Sequence, residues 1–156
     1  MRILGIDPGS GIIGFGVIDN LKSKSKFVGG GVIRTKIGAK TSVRLLEAYE
    51  GMQEILSEYK PDVATVEKLF FVQNITTGMK VSQTRGIILL ALEQYGLPIY
   101  EYAPNEIKMA MTGYGHAKKG QIQEMVKVQL DLKQRPSPDD VADALAIALT
   151  HKSAHI

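Results

Sequence analysis

The 156-residue sequence has no cysteine, which excludes disulfides and thiolate metal sites and fits a chain that works in the reducing cytoplasm. No apolar run is long enough to cross a bilayer, so no membrane partner is expected. The opening residues, MRILGIDPGS, carry one arginine but lack the apolar core and small-residue cleavage site of a signal peptide. Internal repeats and low-complexity segments are missing too. Histidine is scarce, three in all, so a bound metal would fall mainly to carboxylates, whose hard oxygens favour Mg²⁺ or Mn²⁺. Acids vanish from one whole stretch: Leu21 to Lys36 holds five basic residues and no acidic one.

What is present suffices for a core. Hydrophobic residues make up 44% of the chain, and the length suits one domain over residues 1–156. The formal net charge is only +3, but Ile107 to Arg135 sets six basic residues against two acidic ones. Two basic segments beside a few acids in apolar surroundings point to a polyanionic partner. Lysines that merely keep a small protein soluble account for the charge alone at least as well.

The pattern predicts three short-turn strands: Ile3 to Ile6, Ile12 to Asp19, and the KFVGGGVIRT segment. The first breaks at Asp7-Pro8-Gly9, a turn sequence. A helix opens at Thr41 or Ser42, with Leu45, Tyr49, Met52, Leu56 and Tyr59 at helical spacing, and Pro61 ends it. DVATVEKLF is a further strand with Glu67 near its end. Asn74 caps a helix running to about Tyr95, and LPIYEYA is the last strand. PNEIKMAMT and KKGQIQEMVKVQLDL are helices. In the final helix Ser137 is the expected N-cap, Pro138 the first helical residue and Asp140 the third, completing a capping box. Val141, Leu145 and Ala148 form its apolar face. The order βββαβαβααα gives an α/β fold: a mixed sheet flanked by helices.

The acids of PSPDDVADALAIALTH need a reason. Capping and the helix dipole account for Asp139 and Asp140, at about 1 kcal/mol. They do not account for Asp143, past the first turn among alanines. Asp143 shares a face with both Asp139 and Asp140, and helix spacing does not choose between them. An Asx-turn explains Asp7 by itself, and a solvated strand end explains Glu67. Adjacent strands ending at one sheet edge would bring these two acids together, with the last helix adding the other pair. Four carboxylates in one cleft repel and raise each other's pKa unless divalent cations neutralise them. Two Mg²⁺ about 4 Å apart are the established solution for phosphodiester hydrolysis.

GIDPGS, EKLFFVQN, QTRG and DDVADALAIALTH resemble, in order and spacing, the RuvC family of Holliday-junction resolvases, over Met1 to His151. GIDPG alone is also similar to the phosphate loop of actin-like ATPases, but those proteins enclose nucleotide with a second lobe. The resemblance implies a ribonuclease-H-like fold with a mixed five-stranded sheet. It implies catalytic, metal-holding acids at Asp7, Glu67, Asp140 and Asp143, with two Mg²⁺ per site and Mn²⁺ as substitute. It favours Asp140 because the family places an acid or histidine three residues before the Asp of DALA; Asp139 is then a cap. DNA would be held by Phe70, Lys108 and Lys119, with Phe71 and Lys118 as the near alternatives.

Arg85 of QTRG either reaches DNA or serves helix packing, and His151 and His155 are structural or exposed. His116, in a glycine-rich loop, is a weaker phosphate contact. The implied substrate is four-way junction DNA, cut to leave 5′-phosphate and 3′-hydroxyl ends. The implied partners are a second copy in a homodimer and the RuvA and RuvB branch-migration proteins. The apolar helix from Ile75 to Tyr95, with Ile87, Ile88, Leu89, Leu90 and Leu92, is the candidate dimer face, although core packing explains it equally. Two alternatives remain: a related ribonuclease-H-like nuclease acting on another nucleic acid, and a non-catalytic junction-binding module.

Overall fold

The computed structural model describes residues 1–70 and 73–155. Three strands, β1 (Arg2–Asp7), β2 (Ile12–Asn20) and β3 (Ser25–Arg34), form an antiparallel meander. They are followed by α1 (Thr41–Tyr59), β4 (Val63–Glu67), α2 (Ile75–Tyr95) and β5 (Ile99–Tyr102). Three helices close the chain: α3 (Pro104–Thr112), α4 (Lys119–Gln129) and α5 (Asp139–Ala154). The expected mixed five-stranded sheet is present, in the order β3-β2-β1-β4-β5, with β4 parallel to both β1 and β5.

Alternation along the strands sorts the core onto both faces. Leu4, Ile6, Phe15 and Val17 pack with Met52 and Leu56 of α1 and Ile88 and Leu92 of α2. On the other face Ile3, Ile18 and Val63 pack against α3, α4 and the apolar residues of α5. Asn74 caps α2 as expected, its Oδ1 accepting from the Thr77 amide at 3.2 Å. Glu106 opens α3 by accepting the Ala103 amide at 2.6 Å.

The helix α5 departs from the amphipathic reading. It is buried on nearly every side, from Val141 and Ala142 through His151 with only Asp143 less covered. A helix backbone lies this close to a sheet only where side chains are small. Gly5, Gly16 and Gly30 supply that space, standing in register across β1, β2 and β3. A Cβ on Gly5 would meet the Ala144 carbonyl oxygen at 2.0 Å, and one on Gly16 the Leu145 side chain at 2.6 Å. One on Gly30 would lie 2.7 Å from Val141 Cγ1. This glycine row is the seat that fixes where α5 crosses the sheet.

Candidate active site

The β1–β4 register sets Ile6 beside Val66, so Asp7 and Glu67 are the next residues of two parallel neighbours. Both lie two residues beyond a position facing α5 and share that face. The first turns of α5 meet them there. Gly14, cross-strand from Asp7, sits under Asp140, whose carbonyl oxygen would lie 2.3 Å from a Cβ at that position.

The start of α5 corrects the sequence expectation. Pro138, at ψ 172°, is still extended and is the N-cap residue, and no side chain caps the helix. Its carbonyl accepts the Val141 amide at 2.9 Å. The helix therefore begins one residue later than expected, Asp140 is its second residue, and the Ser137–Asp140 capping box does not form. Asp139 is not a cap either. It is the first helical residue, with its side chain 68% exposed, and its charge complements the positive end of the helix dipole. Asp140 is half-buried, and Asp143, one turn on, has its side chain 28% exposed.

A cleft of about 260 Å³ opens here, lined by Asp7, Glu67, Asp143, Lys108 and Lys119, with Ile107 and Ile147 among its apolar walls. Lys119 Nζ lies 3.0 Å from Asp143 Oδ2 and 3.9 Å from Asp139 Oδ2. Burial pushes the Asp7 carboxyl up to about 8, and repulsion from Glu67, Asp143 and Asp140 adds to it against the weaker pull of Lys119. Glu67 is raised by burial and then by Asp143, with Lys108 opposing. Asp143 rises through burial despite its hydrogen bond to Lys119. That bond in turn raises the Lys119 ammonium.

Asp7, Glu67 and Asp143 thus oppose one another's ionisation. Among the described residues, no three His, Asp or Glu side chains are already gathered closely enough to chelate one ion, and Lys119 takes up one Asp143 oxygen. The donor set suits hard divalent cations all the same. It consists of carboxylate oxygens, which gain from a positive charge that relieves their mutual repulsion.

Of the expected DNA contacts, Lys108 and Lys119 line the cleft, whereas Lys118 does not. Phe70 is 57% exposed, just beyond β4. It borders a groove of about 550 Å³ with Leu69, Ile75 and Met79. Phe71 lies outside the described residues. His116 is exposed, edge-on to Tyr114. Of the two histidines expected to be structural or exposed, His151 is buried, 2% exposed, with its Nδ1 2.8 Å from the Tyr102 hydroxyl. Of the expected dimer face, Ile88 and Leu92 belong to the core, while Leu90 is exposed, as are Ile75 and Met79. The glycines of IIGFGVID allow close backbone approach, and the register shows what approaches them: Asp140 lies over Gly14 and Leu145 over Gly16. Arg85 was singled out only as part of QTRG; its Nε donates to the Glu67 carbonyl at 3.1 Å.

The family model for the crossover junction endodeoxyribonuclease RuvC matches residues 3–151. The RuvC of Brevibacillus brevis is 55% identical over 97% of this chain and 91% of its own. That of Thermotoga petrophila is 48% identical over 97% and 92%. Among solved structures, Thermus thermophilus RuvC in complex with Holliday junction substrate has a TM-score of 0.93 at 35% identity, covering 99% of this chain and 94% of that one. The yeast mitochondrial Holliday junction resolvase, at 14% identity, a TM-score of 0.71 and coverage of 97% and 78%, shares the fold.

Proposed function

The chain belongs to the RuvC family of crossover junction endodeoxyribonucleases, and from that premise we propose that it resolves four-way DNA junctions by paired, divalent-cation-dependent phosphodiester hydrolysis. Its fold is the ribonuclease-H-like α/β fold of that family. The observation that carries the proposal is one cleft where Asp7, Glu67 and Asp143 meet Lys108 and Lys119, with Asp140 beside it over Gly14.

Asp7, Glu67, Asp140 and Asp143 would hold two Mg²⁺, with Mn²⁺ as the close substitute, supplying the charge that activates water and stabilises the departing 3′-oxygen. The chain's own residues do the rest. Lys119, which pairs with Asp143, and Lys108 contact backbone phosphates, fixing register without reading sequence. Phe70, exposed beside the cleft strand, stacks on a base freed at the crossover. Cleavage leaves 5′-phosphate and 3′-hydroxyl ends. Cutting two strands symmetrically needs two sites, so the working form is a twofold homodimer, with exposed residues of α2 such as Ile75, Met79 and Leu90 as its apolar contribution. RuvA and RuvB are the proposed partners, and the cytoplasm the proposed compartment; no helix of the described residues is long and apolar enough to cross a membrane.

The test offers a synthetic four-way junction, its linear duplex and an RNA–DNA hybrid to the protein with Mg²⁺. Paired, symmetric nicks confined to the junction are expected. Comparable cutting of hybrid or duplex would overturn junction selectivity and favour a more general nuclease. Phe70→Ala should weaken junction binding by about 1–3 kcal/mol, the worth of one base–aromatic stack. Its melting temperature should stay at the native value, because an exposed ring contributes little to the fold. Unchanged junction affinity would remove Phe70 from the interface.

A further inference from the structure

QTRG is the motif that cleavage leaves without a task. Arg85, its arginine, lies midway along α2 with its side chain only 17% exposed. Besides donating through Nε to the Glu67 carbonyl at 3.1 Å, it pairs through a terminal nitrogen with the Glu101 carboxylate on β5. One guanidinium thus joins α2, the last residue of β4 and β5. Its fork serves two acceptors in different directions, which a lysine ammonium on a flexible stem does less rigidly. Glu101 neutralises it, so Arg85 is committed to the protein rather than free for phosphate.

The same helix meets the junction-facing loop. Gly78, Met79, Ser82 and Gln83 of α2 form one wall of the groove bordered by Leu69 and Phe70. Two turns or less along α2 therefore separate the support of Phe70 from the support of Glu67. The strand end has a second anchor on the sheet side, where the Lys68 amide donates to the Tyr102 carbonyl at 2.8 Å. Both anchors grip the one peptide unit that joins Glu67 to Lys68.

We propose that Arg85 is a positioning residue: it fixes the backbone at Glu67 from α2, so that the helix supporting the DNA-facing loop also sets the place of the carboxylate. This rests on Glu67 acting at the cleavage centre. A strand end released from Arg85 lets the Glu67 carboxylate drift, and drift of about 1 Å at a reacting centre costs up to about a hundredfold in rate. Loss of a group that orients a metal ligand also weakens metal binding, by about tenfold or more.

The experiment compares Arg85→Gln, Arg85→Lys and Glu101→Gln with the native chain. It measures junction affinity by anisotropy without divalent ion, single-turnover cleavage at saturating junction across a Mg²⁺ titration, and thermal melting. For Arg85→Gln the expected result is junction affinity within about threefold of native, a rate about 30-fold lower, and a Mg²⁺ midpoint about tenfold higher. Arg85→Lys should recover part of both losses because it keeps one donor for the Glu67 carbonyl. Glu101→Gln should shift rate and midpoint in the same direction but less. Native rate and midpoint in folded Arg85→Gln would overturn the proposal. So would a rate loss matched by lost junction affinity, which marks a DNA contact, or by a lowered melting temperature with an unmoved Mg²⁺ midpoint, which marks plain packing. A native chain that leaves junctions uncut, or Glu67→Gln that still cuts them, would instead overturn the functional reading on which this one stands.

Discussion

Without divalent cations, the Asp7→Asn protein should melt at a higher temperature than the native chain, and with Mg²⁺ it should leave junctions intact. The cause is one buried charge. Asp7 is held at about 8 by burial and by the repulsion of Glu67, Asp143 and Asp140, so its ionised form opposes folding. An amide of the same shape removes that cost and should stabilise the metal-free fold at pH 7.5, by up to about 1.4 kcal/mol for each unit by which the carboxyl is raised. The pH dependence follows from linkage. A carboxyl raised in the folded state binds its proton more tightly there than in the unfolded chain. Metal-free native protein should therefore gain stability as pH falls from above 8 toward 5, with Glu67 and Asp143 contributing in the same direction.

Asp7→Asn should flatten that slope. Mg²⁺ should raise the native melting temperature at pH 7.5, because it binds the folded state, and raise that of Asp7→Asn much less. The loss of cleavage should be about a thousandfold or more, the equivalent of several kcal/mol of transition-state charge stabilisation. Thermal melts at three pH values, with and without Mg²⁺, check the stability part. A destabilised metal-free Asp7→Asn protein would mean that the carboxylate is supported by neighbours rather than strained by them.

Two glycine substitutions should separate the seat of α5 from its first turn. Gly5→Ala sets a methyl group 2.0 Å from the Ala144 carbonyl oxygen and 3.0 Å from Ala148 Cβ. Neither is the flexible tip of a side chain, so the whole helix must lift from the sheet. Overpacking of a close backbone contact costs about 3 kcal/mol or more, and urea denaturation should show it as a large fall in midpoint. Gly14→Ala collides instead with the Asp140 carbonyl oxygen at 2.3 Å and its Cβ at 2.9 Å, at the first turn of the helix. That turn can tilt while the rest of α5 stays seated. The expected result is a smaller loss of stability, about 1–2 kcal/mol, with cleavage lowered about a hundredfold through displacement of Asp140. Equal loss of stability in the two variants would show that the first turn is as rigidly packed as the middle of the helix.

Much of this molecule was legible because local chemistry dictated it. Turn residues at Asp7-Pro8-Gly9, the apolar spacing of α1, the Asn74 cap and Pro104 at the head of α3 each act within a few residues, and the element order follows from them. Asp7 and Glu67 were placed at strand ends by the same local signals. Register was not legible, since no local rule tells Gly5 to lie beside Gly16 and Gly30. Gly16 signalled a close backbone approach, but not that α5 is what approaches, nor that Gly5 and Gly30 complete its seat. The all-round burial of α5 depends on that seat and on α3 and α4, so its apparent single apolar face was a poor guide. At its start, the capping-box pattern of Ser137 to Asp140 lost to the extended geometry of Pro138. Lys119 was recognised as basic, but its pairing with Asp143 depends on where α4 packs. The choice between Asp139 and Asp140 rests on exposure: Asp139 points to solvent, and Asp140 lies half-buried over Gly14 beside Asp7.

That choice is where the central claim is most exposed. Junction cleavage with Mg²⁺ should be measured for the native chain and for Asp139→Asn, Asp140→Asn and Asp143→Asn, all at the same saturating junction concentration. Paired nicks from the native chain and from Asp139→Asn, with cleavage lost in the other two, is the predicted result. Native-like cleavage by Asp143→Asn, or loss in Asp139→Asn alongside full activity in Asp140→Asn, would contradict the site as built.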